Sequence, residues 1–314
     1  MNDPVPGRQL LVASTGGHLA QLVKWAPRIG ADPDSLWVTF ESPQSESLLR
    51  GRRVLHVPYV APRDFRNVGR AFALMMRQID WRSEAFTTAL TTGAAVGLAG
   101  LGAARLHGVS CFYFESVSRV SGPSLTGRIV SLDPWIDRSC QYEHWAGGRW
   151  NYRGSLFDSY AVVAKPSNPR PRLFITLGTI KPYRFDALVD AILSTGLADD
   201  RTVWQLGETA RENLPGTALH QLSHNEFEQC ARAADVVVTH SGVGTLMELL
   251  DMGIYPVVVP RRAKRREHVD DHQMQVASVL STRGISTVCE VEDLDKDLIL
   301  DASGHAIAGA ESGA

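Results

Sequence analysis

Along nearly all of the 314 residues, short runs of β-branched and apolar residues alternate with segments whose apolar positions recur at helical spacing. This rhythm narrows the fold more than any other feature. Strands that are apolar on both faces need cover from both sides, and helical crossovers between them make neighbouring strands run parallel. The expected strands of the first half are residues 9–14 (QLLVAS), 35–40 (SLWVTF), 53–58 (RVLHVP), 85–90 (AFTTAL) and 110–115 (SCFYFE). In the second half RLFITLG, RTVWQLG, DVVVTH and YPVVVP repeat the pattern. The fold class is therefore α/β, and at roughly 150 residues per domain the length fits two such units.

Between the halves, Pro166, Pro169 and Pro171 disfavour helix and strand alike. The expected division is a first domain at 8–165, a proline-rich linker at 166–172, a second domain at 173–295, and a tail or crossing helix at 296–314. Two such halves facing each other would form a cleft, with ligands gathering beyond the carboxyl ends of the strands.

Lysine plus arginine number 32 and aspartate plus glutamate 34, a net charge of −2. No basic field of the kind duplex nucleic acid requires is present, so nucleic acid is not an expected partner. The four cysteines are isolated, without paired C-x-x-C spacing, which argues against a zinc site or a disulfide framework and suits a reducing cytoplasm. The N-terminal apolar run is too short for a secretion signal. Residues 85–104 carry one glutamate-free, uncharged stretch of bilayer length, but its threonines and glycines read better as a strand, a turn and a small-residue helix ending near His107.

Four stretches could carry chemistry. Ser14, Thr15, Gly16, Gly17 and His18 follow the first strand and lead into a helix, where backbone N–H groups and the helix dipole would face an anion. The spacing is not G-x-G-x-x-G, so this is no dinucleotide fingerprint. Gly178 and Thr179 leave the first strand of the second half in the same way. The segment 233–253 joins an apolar strand ending at His240 to the loop Ser241, Gly242, Val243, Gly244 and a helix carrying Thr245 and Glu248. Glu248 would either accept hydrogen bonds from a ribose diol or form a capping box with Thr245. The run at 260–275 opens with Arg261, Arg262, Lys264, Arg265 and Arg266, which reads as a solvated face or as a loop meeting phosphates or anionic lipid. Asp271, His272 and Gln273 follow, without a second cluster at metal spacing.

In this order the motifs resemble glycosyltransferases of family 28 type. ADVVVTHSGVGTLMELLDMGIYPVVVP followed by DDHQ is similar to the donor-binding half of the lipid II-forming N-acetylglucosaminyltransferase. The same segment and RLFITLGTIKPYRFDALVDAI are closer still to the catalytic subunit of the enzyme extending dolichol-linked chitobiose. STGGHLAQL and YFESVSRVSGPSLTGRIV resemble its partner subunit and the bacterial exopolysaccharide pairs. The resemblance spans residues 8–290 and implies a GT-B fold of two Rossmann-like domains, with the acceptor on the first and a nucleotide-sugar donor on the second.

Residue by residue, it places Gly178 and Thr179 on the donor diphosphate, bordered by Ser241, Gly242, Gly244 and Thr245. Glu248 falls on the ribose, the loop near Leu222 to His224 on the nucleobase, and Gln273, in the donor-binding triplet Asp271, His272 and Gln273, on the transferred sugar. Gly16, Gly17 and His18, with Ser14, Thr15 and Ser118, fall on the acceptor side, as does Glu115. It implies a UDP-sugar as co-substrate, no further cofactor and no metal. The implied acceptor is a lipid-linked sugar or a small molecule, with peripheral contact at the inner membrane face as an option. The stretch 72–76 with Arg66, Arg70 and Arg77 would then serve lipid, or else be a core-facing helix with wet arginines. The general base is expected to be His18, whose ordinary pKa near 6.5 suits the task, with Glu115 the second candidate. The rival expectations are a soluble natural-product acceptor, a UDP-sugar epimerase and a non-catalytic scaffold.

Overall fold

The computed structural model describes residues 4–61, 64–179, 181–268 and 272–309. The chain divides into two compact units, Met1–Leu156 and Phe157–Ala314. In the first, β1 (Gln9–Val12), β2 (Leu36–Thr39), β3 (Arg53–His56), β4 (Thr88–Thr91) and β5 (Ser110–Phe114) fall where the apolar runs place them. Two more strands, β6 (Ile136–Cys140) and β7 (Trp150–Tyr152), complete a parallel sheet of order β3-β2-β1-β4-β5-β6-β7. Neither stands out in sequence: Asp137 and Arg138 interrupt the apolar run of β6, and β7 is three residues long.

The second unit opens on β8 (Tyr160–Ala164) and continues with β9 (Leu173–Thr176), β10 (Val203–Gln205), β11 (Thr217–Leu219), β12 (Val236–Thr239), β13 (Val257–Val258), β14 (Thr287–Val288) and β15 (His305–Gly309). Its six-stranded sheet is again parallel, in the order β11-β10-β9-β12-β13-β14. In both sheets the order reverses beside the unit's central strand, between β1 and β4 and between β9 and β12. Loops leaving those strands diverge to opposite faces and leave a crevice at the carboxyl ends, the place where such sheets bind ligands. All four strands are wholly buried.

The division falls ahead of the proline-rich stretch because that stretch is tied into the second unit. Lys165 N–H donates to the Gly304 carbonyl (2.8 Å), and Asp235 accepts from Asn168 Nδ2 and from Arg172 N–H at 3.0 and 2.7 Å. β8 pairs antiparallel with β15, so within residues 296–309 the chain forms the helix Lys296–Ala302 and a paired strand.

The helix Ala95–Leu106 explains the glycines of 85–104. A Cβ on Gly100 would lie 2.5 Å from Val12 Cγ2, so the bare backbone lets the helix settle directly on β1. The expected strand, turn and helix are thus in place, and among the described residues no helix is long and apolar enough to cross a membrane. Gly100→Leu is expected to destabilise the first unit by about 1–3 kcal/mol through overpacking, read as a lowered thermal midpoint. In the helix Phe65–Gln78, Ala71 and Met75 are fully buried and Phe72, Leu74 and Met76 pack against the core, while Arg66, Arg70 and Arg77 face water. The 72–76 stretch therefore serves the core rather than lipid.

Candidate functional site

Each unit carries a candidate site at the carboxyl edge of its sheet. In the first, Ser14, Thr15, His18, Glu115 and Ser118 line one pocket of about 510 Å3, with Phe40, Tyr59 and Leu125 as its apolar wall and Arg119 as its cation. Gly16 caps the helix Gly17–Arg28 at φ +85°, a backbone conformation that glycine adopts without strain. His18 stands in the first turn, half-buried.

His18 Nδ1 lies 2.8 Å from the Thr92 carbonyl, and Thr92 Oγ1 donates back to the His18 carbonyl at 2.7 Å. A carbonyl only accepts, so Nδ1 carries the proton in this pairing and Nε2 of the neutral ring is the free base. Burial holds the His18 pKa below 6.5, outweighing the Thr92 bond, and Arg119 adds to the lowering. Gly93 makes room for the ring: a Cβ there would sit 2.9 Å from His18 Cε1.

Glu115 plays a different part. It is 1% exposed, and each of its oxygens already accepts two hydrogen bonds. Oε1 accepts from Tyr113 Oη and Ser116 N–H at 3.1 Å each, and Oε2 from Ser124 N–H (2.9 Å) and Ser124 Oγ (3.1 Å). Burial raises its pKa against the pull of these donors. The carboxylate thereby fixes the loop between β5 and the helix Leu125–Val130. A second buried network supports that loop from below. Gln21 accepts from Val117 N–H (2.8 Å) and donates to Ser116 Oγ (3.0 Å), and Gln141 donates to the Glu115 carbonyl (3.0 Å).

In the second unit, Gly178 (φ +80°) and Gly242 close on His240 from two strands. A Cβ on Gly178 would lie 2.7 Å from His240 Cε1, and one on Gly242 would collide with Nε2. The ring is buried, and desolvation followed by the Arg261 charge lowers its pKa to about 3, so it is neutral. Gly242 is also the N-cap of the helix Val243–Asp251, with no side-chain cap. Thr245 is therefore the third residue of the helix and Glu248 lies mid-helix, which removes the capping-box alternative. Glu248 Oε1 instead lies 2.8 Å from His224 Nδ1, at the start of the helix His224–Ala233. Burial raises the Glu248 pKa, and His224 works against that rise.

The basic run proves to be divided. Arg262 pairs with Glu290 at 2.8 Å, and Arg265 with Glu267 and Glu292 at 3.0 Å each, so these two cations are matched within the unit. Arg261, by contrast, is wholly buried. Gln273 is buried too, and its Oε1 accepts from the Arg261 N–H at 3.1 Å. His272 opens the helix His272–Thr282. Asp271 lies outside the described residues. Among the described residues no group of three His, Cys, Asp or Glu could hold a metal.

Residues 202–303 match the glycosyltransferase family 28 C-terminal domain. That match falls within the second unit. In keeping with that, the chain is 35% identical over 74 residues to the "UDP-N-acetylglucosamine transferase subunit ALG13" of Cryptococcus neoformans. That alignment covers 23% of this chain, and the chain spans about a third (35%) of the length of these curated relatives. Among solved structures, MurG of Acinetobacter baumannii matches with a TM-score of 0.57 at 16% identity, covering 95% of this chain and 94% of that one. The glycosyltransferase SnogD from Streptomyces nogalater matches with a TM-score of 0.56 at 19% identity, covering 95% and 91%. The spinosyn rhamnosyltransferase SpnG, complexed with thymidine diphosphate, gives 0.50 at 15%, covering 94% and 92%. These likenesses establish the fold as GT-B, as the motifs led one to expect.

Within the second unit, Arg261 and His240 do not stand out in the sequence as individual site residues. Both directly extend buried strand runs, which was the available signal: a side chain just past such a run stays under the loops. In the first unit the supporting glutamines Gln21 and Gln141, 120 residues apart, left no sequence trace at all.

Proposed function

We propose that this chain is a UDP-sugar-dependent glycosyltransferase that moves the sugar to an acceptor hydroxyl with inversion and without a metal ion. The observation that carries the reading is the sheet edge of the second unit, where Gly178 and Gly242 hold their turns against His240 and Glu248 stands on the adjoining helix. Backbone N–H groups of residues 178–179 and the N-terminus of Val243–Asp251 supply oriented dipoles for the departing diphosphate before charge develops. Glu248 accepts from the ribose diol, and the similarity to a UDP-N-acetylglucosamine transferase subunit favours uridine as the base. His224 holds the Glu248 carboxylate in place rather than reading the base alone.

On the acceptor side, His18 Nε2 takes the proton of the attacking hydroxyl while Thr92 fixes the ring. Glu115 shapes the loop that carries Ser116, Ser118 and Arg119. The acceptor proposed on the resemblance is a polyprenyl-diphosphate-linked sugar, met at the cytoplasmic membrane face. A soluble small-molecule acceptor is the second reading, favoured by a pocket whose volume lies in the range of small-molecule sites.

The test is calorimetric titration with UDP, GDP and dTDP, followed by turnover assays with UDP-sugars in the presence of a chelator. UDP is expected to bind in preference to the other two, and sugar transfer to need an acceptor. Product formed from the donor alone would make the protein an epimerase, and binding of none of the three would end the reading.

A further inference from the structure

Among the described residues of the second unit, Arg261 is the largest buried charged side chain, at 0% exposure. One guanidinium nitrogen, Nη2, donates to the Leu177 carbonyl, the residue before Gly178. Nε and Nη1 are buried and have no hydrogen-bond partner among the described residues, and neither has the buried hydroxyl of Ser241 on the neighbouring strand end. The Phe185 ring packs 5.6 Å from the guanidinium carbon and keeps that side dry. Glu267 is the one carboxylate whose charge is felt there, yet its oxygens are taken by Arg262 N–H and the Arg265 guanidinium at 2.9–3.0 Å. A buried cation with no bonded counter-ion is costly and is kept where something else supplies the negative charge.

We propose that Arg261 is a positioning cation for the donor diphosphate, fixing the Leu177–Gly178 peptide through its carbonyl and lending its unneutralised charge to the anion bound above that turn. The inference rests on the donor-site reading above. Arg261 acts through the turn, since its own donors do not reach the surface. Its effect should therefore scale with ligand charge and be indifferent to the nucleoside.

The experiment compares uridine, UMP, UDP and inorganic pyrophosphate on the wild type, R261K and R261M, by calorimetry with a melting curve for each variant. R261M is expected to weaken UDP and pyrophosphate by about tenfold or more, UMP by less, and uridine not at all. R261K, which keeps the charge, should recover much of the loss. In the wild type, the Arg261 Nε–H resonance, identified by its absence from R261K, should shift on addition of pyrophosphate and not of uridine. The last measurement serves even if R261M fails to fold. Equal weakening of uridine and UDP, unchanged pyrophosphate affinity, or an unmoved resonance would overturn the proposal. A wild type that binds no UDP would instead defeat the donor-site reading itself.

Discussion

Replacing His18 with alanine should lower kcat by about 100- to 10,000-fold, the range for loss of a positioned general base, while leaving UDP affinity unchanged. The reasoning begins with Thr92. Its carbonyl, 2.8 Å from Nδ1, fixes the tautomer and leaves the lone pair on Nε2. His18→Gln keeps a polar group in the turn but no base, and should be nearly as inactive. Gly93→Ala tests the same geometry from outside, because the new methyl would press on Cε1 and turn the ring; a smaller fall in kcat is expected.

The pH dependence has a definite sign. Burial holds the His18 pKa below its ordinary 6.5, so the ring stays neutral and able to accept a proton to lower pH than a free histidine would. The acid limb of the kcat/KM profile should therefore lie below pH 6.5 and disappear in His18→Gln. The same lowering makes the unfolded chain bind the extra proton more readily, so His18 favours the folded state above pH 6.5 and lets stability fall as the pH drops below it. Full activity in His18→Ala would remove it from the reaction.

The second large effect concerns the donor. Glu248→Ala is expected to weaken UDP by about 1.5–3 kcal/mol, roughly tenfold or more, the worth of a charge-assisted hydrogen bond. If Glu248 reads the ribose, most of that loss should vanish when wild type and variant are compared with 2′,3′-dideoxy-UDP, which has no diol to offer. Burial raises the Glu248 pKa, so UDP affinity should decline with falling pH sooner than an ordinary glutamate would allow. His224→Ala frees the carboxylate from its partner at 2.8 Å and should strengthen this pH dependence. An unchanged UDP affinity in Glu248→Ala would leave this carboxylate with a structural task only.

Much of this molecule is written locally. Nine strands were legible because β-branched, apolar runs such as 236–239 cannot face water on either side, and the loops after β1, β9 and β12 announced themselves by glycines at strand ends. Local pattern also separated strand, turn and helix within 85–104. Where pairing partners are remote, it was silent. β7 and β15 exist because β6 and β8 lie beside them, and the proline-rich stretch belongs to the second unit because Asp235, some 65 residues away in sequence, gathers its N–H groups.

The sites divide in the same way. Sequence alone determined which loops stand at the crevices and which residue types they offer, since the order of strands and glycines along the chain sets both. Only the tertiary structure decided what each charged group does. Glu115 is spent on four internal donors, Arg262 and Arg265 on neighbouring carboxylates, and Glu248 on His224 rather than on a helix cap. Arg261, one letter in a basic run, ends under the Gly178 turn with its charge unspent. The physical reason is that backbone preference and amphipathic periodicity act over a few residues. The state of a charge depends instead on burial and on partners that the fold brings from anywhere in the chain.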